Sequence, residues 1–311
     1  MSYQLKHGKS LGDNLRRICR KQIQAALAIT KGEKETSDTP VHEVRKHLKK
    51  ARAAVRLVRK EIGRGLFREQ DHGLHDVGKL TSEIRDAEVR LQTVQELQGI
   101  KHRSGGGRAG YPKLEGMLAL ELGNFMAAFA EWQTQAKPIL ESALANIDCW
   151  PLEHFSCKQL RRAVQRSYKD ARRALKCAEE TRKPEDFHHF RSKAKQLWYE
   201  LRILCPINPV VLKNLSDDLR ALGKLLGRAH DLSFLSERLR CEDRQAAWER
   251  EGQRLLVLIE VNQVDLQRGA AELAEHFFAE RPRDFGARIA SWLKDWEDDP
   301  SSSSIAEVLV K

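Results

Sequence analysis

Aromatic residues make up 6% of this sequence, which leaves little material for the stacking platforms that hold single-stranded nucleic acids. The six cysteines (Cys19, Cys149, Cys157, Cys177, Cys205 and Cys241) are scattered, and no Cys-x-x-Cys pair occurs. That excludes the usual zinc-ribbon and thioredoxin spacings and reads as separate, reduced thiols in a cytoplasmic setting. Val-Ile-Thr runs are few and Asn-Gly turns are absent, so strands and hairpins have little to build on. No stretch is long and apolar enough to span a bilayer, and residues 1–10 are too polar for a signal peptide. The expected protein is soluble, without a membrane partner.

Catalytic signatures are equally scarce. No nucleophile–base pair stands out and no carboxylate cluster suits a two-metal phosphatase. Gly105-Gly106-Gly107-Arg108-Ala109-Gly110 lacks the terminal Lys-Ser/Thr and the flanking strand of a phosphate-binding loop. His72 and His75, with Asp71 and Asp76 beside them, lack a third well-placed ligand for a divalent ion, and His42 and His47 fall on different faces of one helix. Neither an enzyme nor a cofactor or metal is expected.

What the chain does have is charge and helical periodicity. Its 311 residues carry 55 Lys+Arg against 44 Asp+Glu, a formal net charge of +11, while 41% hydrophobic residues suffice for a core. The surplus implies an anionic partner: nucleic acid, a membrane surface or a phosphate polymer. Apolar spacing predicts helices over 8–30, 40–62, 68–98, 112–134 and 136–148, and again over 157–180, 184–204, 211–239, 244–277 and 284–297. Gly and Pro punctuate them, as at Gly63-Arg64-Gly65 and Cys205-Pro206-Ile207-Asn208-Pro209. The glycine-rich stretch 101–112 reads as a mobile loop, and the acidic, serine-rich tail from Glu297 as disordered.

Three segments recur at nearly one offset. Leu15-Arg16-Arg17 returns as Leu160-Arg161-Arg162. His42-Glu43-Val44-Arg45, with Lys49, Arg52 and Arg56, returns as His188-His189-Phe190-Arg191, with Lys195, Trp198 and Arg202. Gly78-Lys79-Leu80 with Asp86 returns as Gly223-Lys224-Leu225 with Asp231. An internal duplication follows, and with it an all-α fold of two pseudo-symmetric antiparallel helical bundles.

The shared non-apolar residues are mostly basic. At about 100° per residue, His42, Arg45, Lys49, Arg52 and Arg56 fall within an arc of roughly 80°, beside an apolar seam of Val44, Leu48, Ala51, Val55 and Val58. The second copy repeats the track with His188, Arg191, Lys195 and Arg202, placing Trp198 in the slot of Arg52, and repeats the seam with Phe190, Ala194, Leu197, Leu201 and Leu204. A merely solvated face mixes signs, because Glu-to-Lys pairs four apart stabilise a helix. Here Glu43 and Glu200 lie off the tracks. Arg16, Arg17, Arg20 and Lys21 add cations to the first half, and Arg162, Arg166, Lys169, Arg173 and Lys176 form a further one-sided row. Asp86 lies among Lys79 and Arg90, and Asp231 shares a face with Lys224 and Arg228, as carboxylates expected to orient cationic neighbours.

The pattern His-x-x-Arg-x-x-x-Lys-x-x-Arg on a helix, followed by a helix running from Gly78 to Arg85-Asp86, resembles the CHAD domain (conserved histidine α-helical domain). Lys195-Gln196-Leu197-Trp198-Tyr199-Glu200-Leu201 and Leu222-Gly223 through Asp231 supply the second copy, with Val77, Gln196 and Trp198 as departures. The resemblance spans roughly residues 8–277. It implies two half-repeats, 1–150 and 151–280, followed by a C-terminal helix and tail over 281–311. It further implies a basic groove between the halves that binds inorganic polyphosphate without catalysis, with polyphosphate granules as an implied location. Lys46 and Lys50 of the first motif and Tyr199 of the second join the expected binding set. Nonspecific RNA or DNA binding is the alternative. The role of His42 and His188, ligand contact or structural hydrogen bond, stays open, as does the oligomeric state.

Overall fold

The computed structural model describes residues 3–36, 38–98, 110–240 and 249–298. Among them are eleven α-helices, two short 3-10 turns and no strand. The helices are α1 (Leu11–Thr30), α2 (Pro40–Leu57), α3 (Arg64–Lys79), α4 (Ser82–Gln98), α5 (Pro112–Ala128), α6 (Trp132–Ala145), α7 (Cys157–Thr181), α8 (Pro184–Leu204), α9 (Pro209–Arg240), α10 (Glu249–Phe277) and α11 (Pro282–Asp298). The all-α expectation holds. No described helix is long and apolar enough to cross a membrane. The expected mobile loop lies outside the described residues over 101–109, as does the expected disordered tail from 299 onward.

Local chemistry sets the helix ends. Ser10 accepts the Asp13 N–H at 3.0 Å to open α1, and Thr39 accepts the His42 N–H at 3.2 Å ahead of Pro40 to open α2. At α7 the Gln159 side chain accepts the Ser156 N–H at 2.7 Å. Gly63 turns the chain between α2 and α3 at φ 79°, a region open to glycine at little cost.

The helices expected over 40–62 and 112–134 end earlier, at Leu57 and Ala128, and one expected helix is divided. The helix expected over 68–98 is two helices, α3 and α4, broken at Leu80-Thr81. The Ser82 hydroxyl donates to the Lys79 carbonyl at 2.8 Å, and the Thr81 carbonyl accepts the Arg85 N–H at 3.1 Å to start α4. Hydroxyl side chains offer the backbone a local alternative to continued helix. In the second copy Gly223-Lys224-Leu225 is followed by Leu226-Gly227, and α9 runs through unbroken.

Packing divides the chain into two compact units. Unit 1 comprises Met1–Gly78, Gln133–Gly223 and Leu273–Lys311; unit 2 comprises Lys79–Trp132 and Lys224–Glu272. Each draws on both halves of the sequence. Unit 2 is built on Val94, Leu97, Leu114, Leu118, Leu232, Leu235, Leu255 and Ile259, all at most 1% exposed. In unit 1, α1 packs on α2, α7 on α8, α11 on α7, and α2 on α8. Both apolar seams deduced from periodicity are buried, Val44, Leu48, Ala51, Val55 and Val58 on one helix and Phe190, Ala194, Leu197, Leu201 and Leu204 on the other. Tyr168 of α7 stacks on Phe285 of α11 at 4.1 Å between centroids and donates its hydroxyl to the Glu280 carbonyl at 3.0 Å.

Candidate functional site

The site is built where α2 meets α8 in unit 1. Arg56 Nη1 donates to Gln196 Oε1 at 3.1 Å. Lys50 lies beside Arg202, both over the ring of Tyr3, with Lys50 Nζ at 5.7 Å and Arg202 Cζ at 5.5 Å from its centroid. Position 50 meets 202 while position 56 meets 196, so the two helices run antiparallel. In an antiparallel pair, equivalent flanks of the two helices lie on the same side of the plane containing both axes. The tracks of His42, Arg45, Lys49, Arg52 and Arg56 and of His188, Arg191, Lys195 and Arg202 are such flanks, at equal rotation from equivalent contact residues. Both therefore face one side of the pair.

α3 lines the first track. Arg45 donates to the Gly78 carbonyl. Asp71 accepts Arg52 Nε at 2.9 Å and Nη2 at 3.0 Å, and its Oδ1 pairs with Arg56 Nε at 3.4 Å. Burial opposes the Asp71 charge, but the Arg52 hydrogen bond and the two guanidiniums outweigh it and hold the carboxyl below its ordinary range. Burial likewise lowers the Arg56 pKa, against the pull of Asp71. In the second copy, the Lys195 side chain runs along Gly223, where an added Cβ would lie 3.9 Å from its Cε. Arg45 and Lys195 thus reach the same element of the repeat, the glycine of Gly-Lys-Leu.

The electrostatics are those of crowded cations. The Lys50 pKa is lowered, first by burial and then by Arg202 and Lys46. His188 is lowered by burial, then by Arg191, His189 and Lys195. His47, whose Nδ1 lies 2.8 Å from Gln22 Oε1, is pushed down to about 4 by burial and then by Lys50 and Lys34. His42 sits at the capped start of α2 with Nε2 3.5 Å from Asp38. Lys46 pairs with Glu43 at 2.8 Å, and Lys49 is exposed.

Other expected site residues stand elsewhere. Arg16 bonds the Trp150 carbonyl and Glu153, Arg17 the Gln4 carbonyl at 2.6 Å and Asn14 at 2.8 Å, and Arg20 pairs with Asp148. They tie α1 to the N-terminal segment and to the stretch before α7. Arg162, Lys169 and Arg173 are exposed on the side of α7 opposite its buried residues, so this row points away from the helices that α7 packs on. Arg166 is half-buried, near enough to Glu200 of α8 to act on its charge. Tyr199 is buried, edge-on to Tyr3 at 6.5 Å and beside Trp198 at 4.6 Å. Lys79, Lys224, Asp86 and Asp231 belong to unit 2, the lysines exposed and the aspartates half-buried.

Four participants escaped the sequence reading. Asp71 stands in the sequence only as a neighbour of the His72/His75 pair set aside as a metal site, yet its carboxylate is taken by Arg52 and Arg56; no local spacing links residues on separate helices. Gln196 stands in the sequence only as a departure from the family pattern and Glu200 only as an acid off the track and a member of the second motif, yet Gln196 bonds Arg56 across the α2–α8 contact and donates to Glu200 at 2.9 Å. Tyr3 gave no signal at all, because it lies in a short irregular segment before α1.

The model of the CHAD domain family matches residues 17–240 of this chain. No curated protein matches it significantly. Among solved structures, PptA from Streptomyces chartreusis is similar with a TM-score of 0.57 and 16% identity, over 86% of this chain and 97% of that one. At such identity the likeness is one of fold, and it agrees with the all-α architecture. The match over 17–240 takes in α2, α8 and the glycines their tracks reach: the chain belongs to the CHAD domain family.

Proposed function

We propose that the protein binds inorganic polyphosphate, without catalysis, on the cationic side of the α2/α8 pair. The observation that carries this reading is the antiparallel contact, Arg56 with Gln196 and Lys50 with Arg202, which turns both tracks to one side. Polyphosphate has no bases, so its receptor needs converging cations and no stacking platform. Arginine forks take two phosphate oxygens at once and lysine serves as a compact charge. Arg45, Lys49, Arg191, Lys195 and Arg202 form the proposed centre, Lys50 joins it through Arg202, His42 and His188 flank it, and the α7 row extends it for long chains. Family membership supports the reading, as do the neighbouring cations that, after burial, lower Lys50 and His188. Nonspecific nucleic-acid binding fares worse on the aromatics: Tyr199 is buried and the Trp198 ring is occupied by Arg202. Tethering to polyphosphate granules in the cytoplasm is the role this activity suggests.

Titration against size-defined polyphosphate, RNA and heparin at matched charge and salt tests the proposal. Polyphosphate is expected to bind tightest; tighter binding of RNA overturns the reading. Replacing Lys49→Glu and Lys195→Glu together is expected to abolish binding with helical circular dichroism intact, and unchanged affinity would mean that the tracks are not the site.

A further inference from the structure

The symmetry of the α2/α8 contact is broken in one respect. Arg56 meets an amide, Gln196, but its counterpart Arg202 meets Lys50, the counterpart of Gln196. Two like charges stand together where an ordinary helix contact would place a neutral or opposite partner. Among the described residues, no acid or carbonyl takes up either group. What holds them is aromatic. The Arg202 guanidinium lies over Tyr3 at 5.5 Å and over Trp198 at 4.9 Å, and Lys50 Nζ lies 5.7 Å from the Tyr3 centroid. Tyr3 is itself fixed: its hydroxyl donates to the Lys50 carbonyl at 3.0 Å, and the neighbouring Leu5 N–H donates to the Ile203 carbonyl at 3.0 Å.

A ring face attracts a cation and covers the guanidinium plane, while the N–H groups, which lie in that plane, remain directed outward along its edge. Rings on the faces therefore orient an arginine for a planar, two-pronged acceptor and shed part of its hydration beforehand. The Trp198 that replaces a cation of the first track then contributes to the site by holding one.

We infer that Tyr3 and Trp198 are positioning residues, which hold Arg202 edge-outward beside Lys50 as a preformed two-cation clamp for the non-bridging oxygens of a phosphate group. The clamp rests on the polyphosphate reading and adds a defined phosphate position to it. Neither residue needs to touch the ligand, and both act through Arg202.

Calorimetric titration with tripolyphosphate tests the clamp, because stoichiometry reports the folded fraction while Kd reports the clamp. Tyr3→Leu and Trp198→Leu are each expected to weaken Kd about tenfold at unchanged stoichiometry, and Tyr3→Phe to restore it by keeping the ring. In an Arg202→Gln background, Tyr3→Leu should cause no further loss. If the two losses multiply instead, Tyr3 does not act through Arg202 and the inference fails. The ligand-free protein gives a separate readout, the NMR shift of the Arg202 Nε–H, which should carry a ring-current displacement that Tyr3→Leu reduces; an unmoved signal also overturns the clamp. If the wild type binds no polyphosphate, the underlying reading fails, and the NMR shift still decides whether the rings hold Arg202.

Discussion

Glu200 has no solvent exposure, yet it sits among arginines in unit 1. One carboxyl oxygen accepts Gln196 Nε2 at 2.9 Å. Arg56 faces it from α2, Arg166 and Ser167 from α7, and Tyr3 from the N-terminal segment. Burial dominates and pushes the pKa up to about 7, against the hydrogen bonds and the guanidiniums. The folded state thus holds this proton more tightly than the unfolded chain does. The resulting stability is fully present below the ordinary glutamate range and is lost as pH rises through that range to about 7. Glu200→Gln keeps the shape and removes the titration. Its thermal midpoint is expected to gain on the wild type between pH 5 and pH 8, by the equivalent of roughly 3 kcal/mol at most. A difference in midpoint independent of pH, followed by calorimetry, would contradict the assignment. Asp71 gives the opposite case, a carboxylate kept charged by Arg52 and Arg56. Asp71→Asn should cost roughly 1–3 kcal/mol in denaturant unfolding. The same change should tighten polyphosphate binding, because it removes the acid that competes for two track arginines. Weaker binding in the folded variant would show that Asp71 orients those arginines for the ligand.

At the scale of the element, periodicity made the helices and their seams legible. Val44, Leu48, Ala51, Val55 and Val58 recur within a few residues of one another, and a helix converts that spacing directly into one buried face. The break between α3 and α4 was not legible from the repeat, because Gly-Lys-Leu occurs in both copies and they diverge just after it, at Thr81-Ser82 against Leu226-Gly227. Close approaches between elements were hidden for a different reason: they depend on what arrives from elsewhere in the chain. A Cβ added at Gly12 in the first turn of α1 would lie 2.4 Å from the Leu152 carbonyl oxygen and 2.8 Å from the Leu152 Cβ, which the backbone cannot easily yield. At Gly286 of α11 the nearest atom, at 2.7 Å, belongs to the side chain of Gln165, which can swing aside. Gly12→Ala should therefore destabilise by about 1–3 kcal/mol and Gly286→Ala by less. Chemical denaturation of both variants checks the order, and the reverse order would mean that α1 rather than Gln165 gives way.

For the whole molecule, the sequence offered a net charge of +11 and two cationic tracks, and neither says which way a track points. That depends on pairing between helices some 146 residues apart, which no local pattern encodes. The packing units cut across the repeat as well. The chain passes from unit 1 to unit 2 at Gly78–Lys79 and again at Gly223–Lys224, the same step of the repeated motif. Direction has a measurable consequence. The α2 and α8 tracks share one side, whereas Arg162 and Arg173 point away from the helices that α7 packs on. Binding a polyanion releases its counterions, so affinity falls with salt at a slope set by the number of phosphates neutralised. A short ligand reaches one side only. For tripolyphosphate, Lys49→Gln and Lys195→Gln should each reduce the slope of log K against log salt by about 1, while Arg162→Gln and Arg173→Gln leave it unchanged. For long polyphosphate all four should reduce it, because a flexible chain that fills the α2/α8 side has length left to reach the outward row. Equal effects of Lys49→Gln and Arg173→Gln on tripolyphosphate would place both cations at one phosphate site and contradict the separation of the two surfaces.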